Sequence, residues 1–366
     1  MNKEAKERYK LIDRYILLKY LKTFILALAL IIVIVITFDV SEKLDDFLKN
    51  SAPLNEIIFQ YYMNFIPEFV NMYSPLFIFI SVLFFTSKMA GNTEIIAILG
   101  SGISYRRLLQ PYLHGSLILA IVVFILGNFV IPVSNRHLIE FEHNYIKTMT
   151  RSYYSNLHFQ TDKNVQIYTE AYDATQRSAR EFQRDIYDDE GRLMERITAR
   201  TIQYDSVENK WFYSYLSKHV FLPKESLVNK PRGLIELDLK PIDFDRASID
   251  ITTLNTLDLL DHIEYERLRG SGAVKECKIE LYQRLLNPLA VIVMNFIGVA
   301  ISSRKTRGGI GVHLAIGISI AFGFIVFMKI STVFAINGGL SPFMAVLLPQ
   351  LIFGVAAACL IKTAPK

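Results

Sequence analysis

Three apolar spans, a long polar segment and three more apolar spans divide this chain, a layout that describes a membrane protein carrying a folded insert outside the bilayer. The runs Phe24–Phe38, Ile57–Phe85, Leu108–Ile131, Leu281–Ile301, Ile310–Phe334 and Phe343–Ile361 are apolar almost throughout. Their lengths suit a hydrocarbon core of about 30 Å, which takes roughly 20 helical residues to cross. Six crossings put both termini on one side.

The basic residues say which side, because Lys and Arg close to membrane spans are retained in the cytoplasm. Lys3, Lys6, Arg8, Lys10, Arg14, Lys19 and Lys22 precede the first span, Lys88, Arg106 and Arg107 follow the second, and Arg304, Lys305 and Arg307 follow the fourth. The opposite loops are acidic or uncharged: Glu42, Asp45 and Asp46 outweigh Lys43 and Lys49, and 335–341 carries no charge. Both termini are therefore expected in the cytoplasm, and the polar middle, from about Ser134 to Gly272, outside. A hydrophobic content of 51% with 25 Phe among 366 residues, and a mean hydropathy of +0.28, agree. The net charge of +5 sits largely in the leader and cytoplasmic loops, so it reports topology and attraction to anionic headgroups. No basic and aromatic interleaved patch points to nucleic acid. The first apolar run is too long for a signal-peptide core and no small-residue cleavage site follows it before Asp39, so it is expected to stay as an anchor.

The outer segment reads as β structure. Short runs rich in Ile, Val, Tyr, Phe and Thr, at Asn164–Tyr172, Phe182–Tyr187, Leu193–Tyr204, Trp211–Leu222 and Leu234–Leu239, alternate with turns at Asp188–Gly191 and Ser206–Asn209 and a loop from Pro223 to Gly233. That pattern predicts one sandwich or jelly roll. Thr256–Glu280 reads as a helical return into the fourth span. The expected fold is an α-helical membrane protein of six transmembrane helices with an all-β domain inserted between the third and fourth, divided at 1–133, 134–255 and 256–366. Cys277 and Cys359 fall near opposite ends of their spans, too far apart to bond.

Catalytic signatures are missing. No GxxxxGK[ST] loop is present, so the chain has no P-loop for ATP hydrolysis. The seven His residues form no HExxH or comparable metal pair, and there is no GxSxG elbow. No catalytic residue, metal ligand or cofactor is assigned.

Polar groups in or beside the membrane are the remaining candidates. Lys329 lies in the outer part of the fifth span among Phe327, Met328 and Ile330; unpartnered at the bilayer centre its ammonium costs about 3 kcal/mol. It is either snorkelled or internally paired, with Asp39 and Glu68 as partners, or it meets an anionic lipid-like substrate in an open cavity. Lys43, just past the first span, is a phosphate contact or a solvated loop charge. Pro67 and Pro75 kink the second span, and such kinks line cavities. The loop from Gly91 to Ser104 reads as a short helix: Asn92 or Thr93 caps it, Glu94 favours its positive end, and Gly100 and Gly102 end it. A compact apolar helix in the cytoplasm lies on the membrane surface or docks into a partner.

This loop carries a resemblance. Asp13-Arg14-Tyr15, Glu94-Ile95-Ile96-Ala97 with Gly100-Ser101-Gly102-Ile103-Ser104, Arg284-Leu285-Leu286-Asn287-Pro288-Leu289, Gly338-Gly339-Leu340-Ser341-Pro342 and Leu348-Pro349 resemble the LptF/LptG family of lipopolysaccharide-transport permeases over essentially the whole chain. Length and the compact outer domain lean towards the LptG-like member. The resemblance implies a periplasmic β-jellyroll and an inner-membrane ABC-transporter subunit. This subunit pairs with a homologous permease in an LptF/LptG heterodimer, and a cytoplasmic ATPase dimer, LptB, drives it. Lipopolysaccharide is extracted from the membrane and passed through LptC/LptA-like jellyroll proteins towards the outer membrane. Carried over residue by residue, Thr93, Glu94, Ile95, Ile96, Ala97, Ile98 and Leu99 match the coupling helix that sits in a groove of the ATPase, within about 92–100. Lys43 matches a basic position that contacts substrate phosphates. Ile36 stands where some members carry a deeper basic residue. Lys329 has no family motif behind it and is a candidate compensating contact. Two rival classes share this layout in part: a lipoprotein-releasing or efflux-type ABC permease, which places its large outer domain after the first span, and a non-transporting membrane scaffold.

Overall fold

The computed structural model describes residues 3–146, 153–206, 208–221, 225–237, 239–241, 244, 249–268, 272–303 and 309–363. Arg304, Lys305 and Arg307 of the expected inner loop lie outside these residues, as do Val207 and Pro223 of the expected turns, Gly270 of the expected helical return and the side chains of Lys3, Lys6, Arg8 and Lys10. The chain divides into two compact units, Met1–Phe141 with Lys278–Lys366, and Glu142–Cys277. No disulfide joins Cys277 and Cys359.

The helices are α1 (Lys3–Lys49), α2 (Leu54–Gly91), α3 (Glu94–Gly100), α4 (Tyr105–Tyr145), α5 (Thr256–Leu268), α6 (Val274–Ser302), α7 (Gly309–Asn337) and α8 (Pro342–Lys362). Of these, α1, α2, α4, α6, α7 and α8 are long and apolar enough to cross a membrane, so the chain is a multi-pass membrane protein. The α1 helix runs unbroken for 47 residues because it contains neither Gly nor Pro. Lys43 therefore sits on a helix, not in a loop past one. The α2 helix passes through both prolines. Pro75 withholds the donor that would reach the Asn71 carbonyl, and the Ser74 hydroxyl supplies one instead at 2.9 Å.

Small residues let these helices approach closely, as expected in lipid. A Cβ at Gly115 would stand 2.4 Å from the Tyr20 ring, and one at Gly317 would stand 2.3 Å from Leu83 Cδ1. Tyr20 is fully buried, stacked on Phe85 at 5.5 Å. Gly115→Leu is expected to force α1 off α4 and destabilise the detergent-solubilised protein by about 1–3 kcal/mol, read as a lower temperature of aggregation by size exclusion after heating.

The second unit is one six-stranded antiparallel sheet: β1 (Tyr153–Asp162), β2 (Val165–Asp173), β3 (Ser178–Tyr187), β4 (Leu193–Asp205), β5 (Lys210–Val220) and β6 (Ser226–Ile235). Strand order follows chain order. The inserted β domain is present, and its described strands connect as a meander. The expected loop from Pro223 to Gly233 is largely strand β6, because an edge strand needs only one row of donors and so accepts Pro231. Strand β1 is an addition to the expected set.

The sheet is creased. In every pairing from β2 to β6 the register runs on both sides of the row Glu170, Glu181, Arg200, Tyr215 and Pro231 and skips the row itself. Glu181 and Tyr215 adopt φ of 47° and 52°, and all five side chains are exposed. Breaking the ladder along one line lets a single sheet bend across its strands, away from the exposed row. The flanking Thr169, Phe182, Ala199 and Leu216 are buried. Phe244, from the chain beyond β6, covers that inner face, with ring centroids 4.4 Å from Tyr172, 4.7 Å from Phe159 and 5.5 Å from Trp211.

Candidate functional site

The α3 helix has seven residues, far fewer than a helix needs to hold itself together in water, so its position depends on anchors. Ile95 is 2% exposed and belongs to the buried apolar cluster that includes Ile16, Tyr20 and Leu108, and Ile98 and Leu99 pack against the same cluster. Thr93, Ile96, Ala97 and Gly100 lie on the opposite face and are exposed. The helix start departs from the expected cap. Thr93 sits at φ 64° and makes no capping bond; in this left-handed conformation its hydroxyl donates back to the Asn92 carbonyl at 2.6 Å. Asn92 instead donates to the Glu94 carboxylate at 3.3 Å.

Glu94 is held from the far end of the chain's first helix. Lys19 Nζ lies 3.1 and 3.2 Å from its two carboxylate oxygens, and Tyr15 Oη donates to one of them at 2.9 Å. Lys19 also donates to Tyr15 Oη at 2.9 Å, closing a triangle. Burial raises the Glu94 pKa, but the bonds from Lys19, Tyr15 and Asn92 and the ammonium's attraction outweigh it and hold the carboxyl below its ordinary 4.5. The stability this pair contributes is therefore in place above that ordinary value and is lost as pH falls through the lower folded one. Two residues before Tyr15, Asp13 takes a bidentate pair from Arg107 of α4 at 2.8 and 2.5 Å. In the sequence, Asp13 and Tyr15 stand out only as part of the Asp13-Arg14-Tyr15 motif and Lys19 only as a leader charge. Its spacing of four from Tyr15 was the available signal.

At the other end of α1, Lys43 pairs with Asp39 at 3.0 Å and bonds the Tyr61 hydroxyl. Tyr61 and Tyr62 donate to the two Asp39 oxygens at 3.2 and 3.0 Å. The ammonium also stands 4.6 Å from the Tyr61 ring centroid and 5.9 Å from that of Phe65. Lys43 is thus partly buried and oriented by aromatic rings, neither a loose charge nor fully spent. Ile36 lies two turns before it. Between the two ends, Ile25, Leu26, Leu30, Val33, Ile34 and Phe38 are exposed, so the chain leaves the middle of α1 bare.

Asp39 is committed to Lys43, Tyr61 and Tyr62, so it is not the partner expected for Lys329. Among the described residues the Lys329 ammonium makes no ion pair. It is exposed, at a cavity of about 100 Å³ lined by Tyr73 and Pro75 of α2, Gln283 and Asn287 of α6, and Phe324 and Thr332 of α7. Tyr73 is 12 residues beyond Tyr61 on α2 (73 − 61), about 18 Å along the helix, so Lys43 and Lys329 lie at different depths.

A larger cavity, about 960 Å³, opens in the β domain. Ile167, Ile197, Trp211, Leu216 and Ile235 give it an apolar lining, and Arg184, Lys210, Lys218 and Lys230 line it too. Glu195 bridges two of these, 2.7 Å from Lys218 and 3.5 Å from Arg184. Asp162 and Glu236 also line it, so its charge is mixed.

A family model described as the lipopolysaccharide export system permease LptF/LptG matches residues 14–363. The match is to the pair and does not separate one member from the other. No curated protein matches the chain.

Proposed function

The chain belongs to the LptF/LptG family of lipopolysaccharide export permeases, a transport family and not an enzyme family, and from that premise we propose how its parts divide the work. The protein is one of two homologous permeases in the bacterial inner membrane, with both termini cytoplasmic and the β domain in the periplasm. An ABC ATPase dimer of the LptB kind docks on the exposed face of α3, at Thr93, Ile96 and Ala97, and supplies the energy. Lipopolysaccharide leaves the outer leaflet between the permeases, passes the β domain and moves onto LptC/LptA-like jellyroll proteins.

The observation that carries this reading is the bare apolar middle of α1 with an oriented ammonium at its outer end. Lifting acyl chains out of lipid costs about 0.8 kcal/mol per exposed CH₂, so the receiving wall must be apolar while a cation meets the phosphates. Lys43 serves at the rim and Lys329 deeper in the span. The β-domain cavity, whose lining mixes apolar, basic and acidic side chains, is the next station.

Mild-detergent purification of the tagged protein, with mass spectrometry of what accompanies it, tests the reading. Recovery of an ABC ATPase, a second permease of this kind and lipopolysaccharide is expected. Recovery of the chain alone would turn the assignment towards a membrane scaffold. Lys329→Ala separates a substrate contact from a snorkelled charge. Lipopolysaccharide extraction into detergent is expected to fall about tenfold, the loss of one charge-assisted contact of about 1.4 kcal/mol; extraction at the wild-type rate would reject Lys329 as a contact.

A further inference from the structure

The geometry points to Lys19 and Tyr15 as positioning residues that clamp the coupling helix α3 to α1, so that α1 carries the ATPase stroke as a rod to its Lys43 end. This rests on the permease reading above and assigns the transmission within it. Three observations carry it. First, Glu94 turns its carboxylate towards its own chain, onto Lys19 and Tyr15, 75 and 79 residues away. Second, the Asp13–Arg107 pair ties the same stretch of α1 to α4, the helix that follows α3, and Ile95 is buried in the same apolar cluster as Ile16 and Tyr20 of α1. The base of α1 therefore cannot stay behind when α3 moves. Third, α1 has no Gly or Pro along its 47 residues at which to bend. Lys43 is 24 residues beyond Lys19 (43 − 19), about 36 Å along a continuous helix. A tilt set at the clamp therefore arrives at the Asp39–Lys43–Tyr61 cluster with little lost between.

The clamp separates two properties that a direct Glu94 contact with the ATPase would join. The complex with its ATPase, in proteoliposomes loaded with lipopolysaccharide, would be assayed for ATP hydrolysed and lipopolysaccharide released in the same sample. In Lys19→Met the ATPase is expected to stay bound and turn over, while release per ATP falls about five- to tenfold, the scale of coupling between residues in one ion-pair network. The swapped pair, Lys19→Glu with Glu94→Lys, restores the bridge with its sign reversed and is expected to recover most of the release that Lys19→Glu alone loses. Wild-type release per ATP in Lys19→Met, or a swapped pair no better than Lys19→Glu, would overturn the clamp. A wild-type complex that binds no ATPase would instead overturn the permease reading beneath it.

Discussion

Glu94→Arg is expected to strip the ATPase from the purified complex and to abolish lipopolysaccharide release. The substitution puts a guanidinium where Lys19 Nζ now lies 3.1 Å from a carboxylate oxygen, replacing attraction with repulsion in a partly buried setting. Three donors, from Tyr15, Lys19 and Asn92, lose their acceptor together. Hydrogen bonds to a charged group contribute about 1.5–3 kcal/mol, so the docked position of α3 becomes at least about tenfold less populated. With only Ile95 left as a deep anchor, a seven-residue helix does not hold its place. Glu94→Gln is the informative control: it keeps the shape and acceptor oxygen, and is expected to keep most of the ATPase at neutral pH. Comparable copurification from Glu94→Arg and wild type would refute the role given to α3.

The second large effect is on the β domain. Trp211 is the chain's only tryptophan and is 2% exposed. It donates Nε1–H to the Leu239 carbonyl at 2.7 Å and packs against Tyr204 and Phe244 at 5.2 and 5.5 Å. It also lines the large cavity. Trp211→Ala is expected to destabilise this unit by about 3–5 kcal/mol from the lost burial and the void it leaves, with a further loss from the orphaned Leu239 carbonyl. Limited proteolysis of the full chain in detergent would show it as rapid cutting within 153–237, with the membrane helices still protected. Trp211→Phe, which keeps much of the ring area and loses the donor, should fall between the two. Equal protection of the Ala variant would mean that this side chain is not a keystone of the inner face.

The helical architecture was legible in the sequence because span length is dictated by bilayer thickness, a constraint that acts residue by residue along one stretch. The α3 helix was legible in the same way, from glycines at one end and an apolar run between. Its anchoring was not, since Lys19 and Glu94 are brought together by the packing of α1 onto α2 and α4, which no local pattern encodes. Strand β6 was hidden behind Pro231 and Gly233, whose usual meaning is a loop; being an edge reverses that meaning. The crease was invisible for a different reason. Glu181 and Tyr215 carry left-handed backbone without being Gly or Asn, so the residues that bend the sheet bear none of the marks of a bend. Lys329 could be flagged from its apolar neighbours, but its separation in depth from Lys43 required the arrangement of α2 against α7.

The meander order of the sheet bears on how this protein is made. Each strand pairs only with the one synthesised just before or just after it, so every ladder closes over a short stretch of chain and the entropy of closing it is small. A Greek-key connection would oblige early strands to wait, unpaired and sticky, for a partner encoded far downstream. Here the order of emergence is already the order of assembly. Each new strand therefore needs only the hairpin before it, and β6, with Pro231 in its middle, is the last strand of the described sheet.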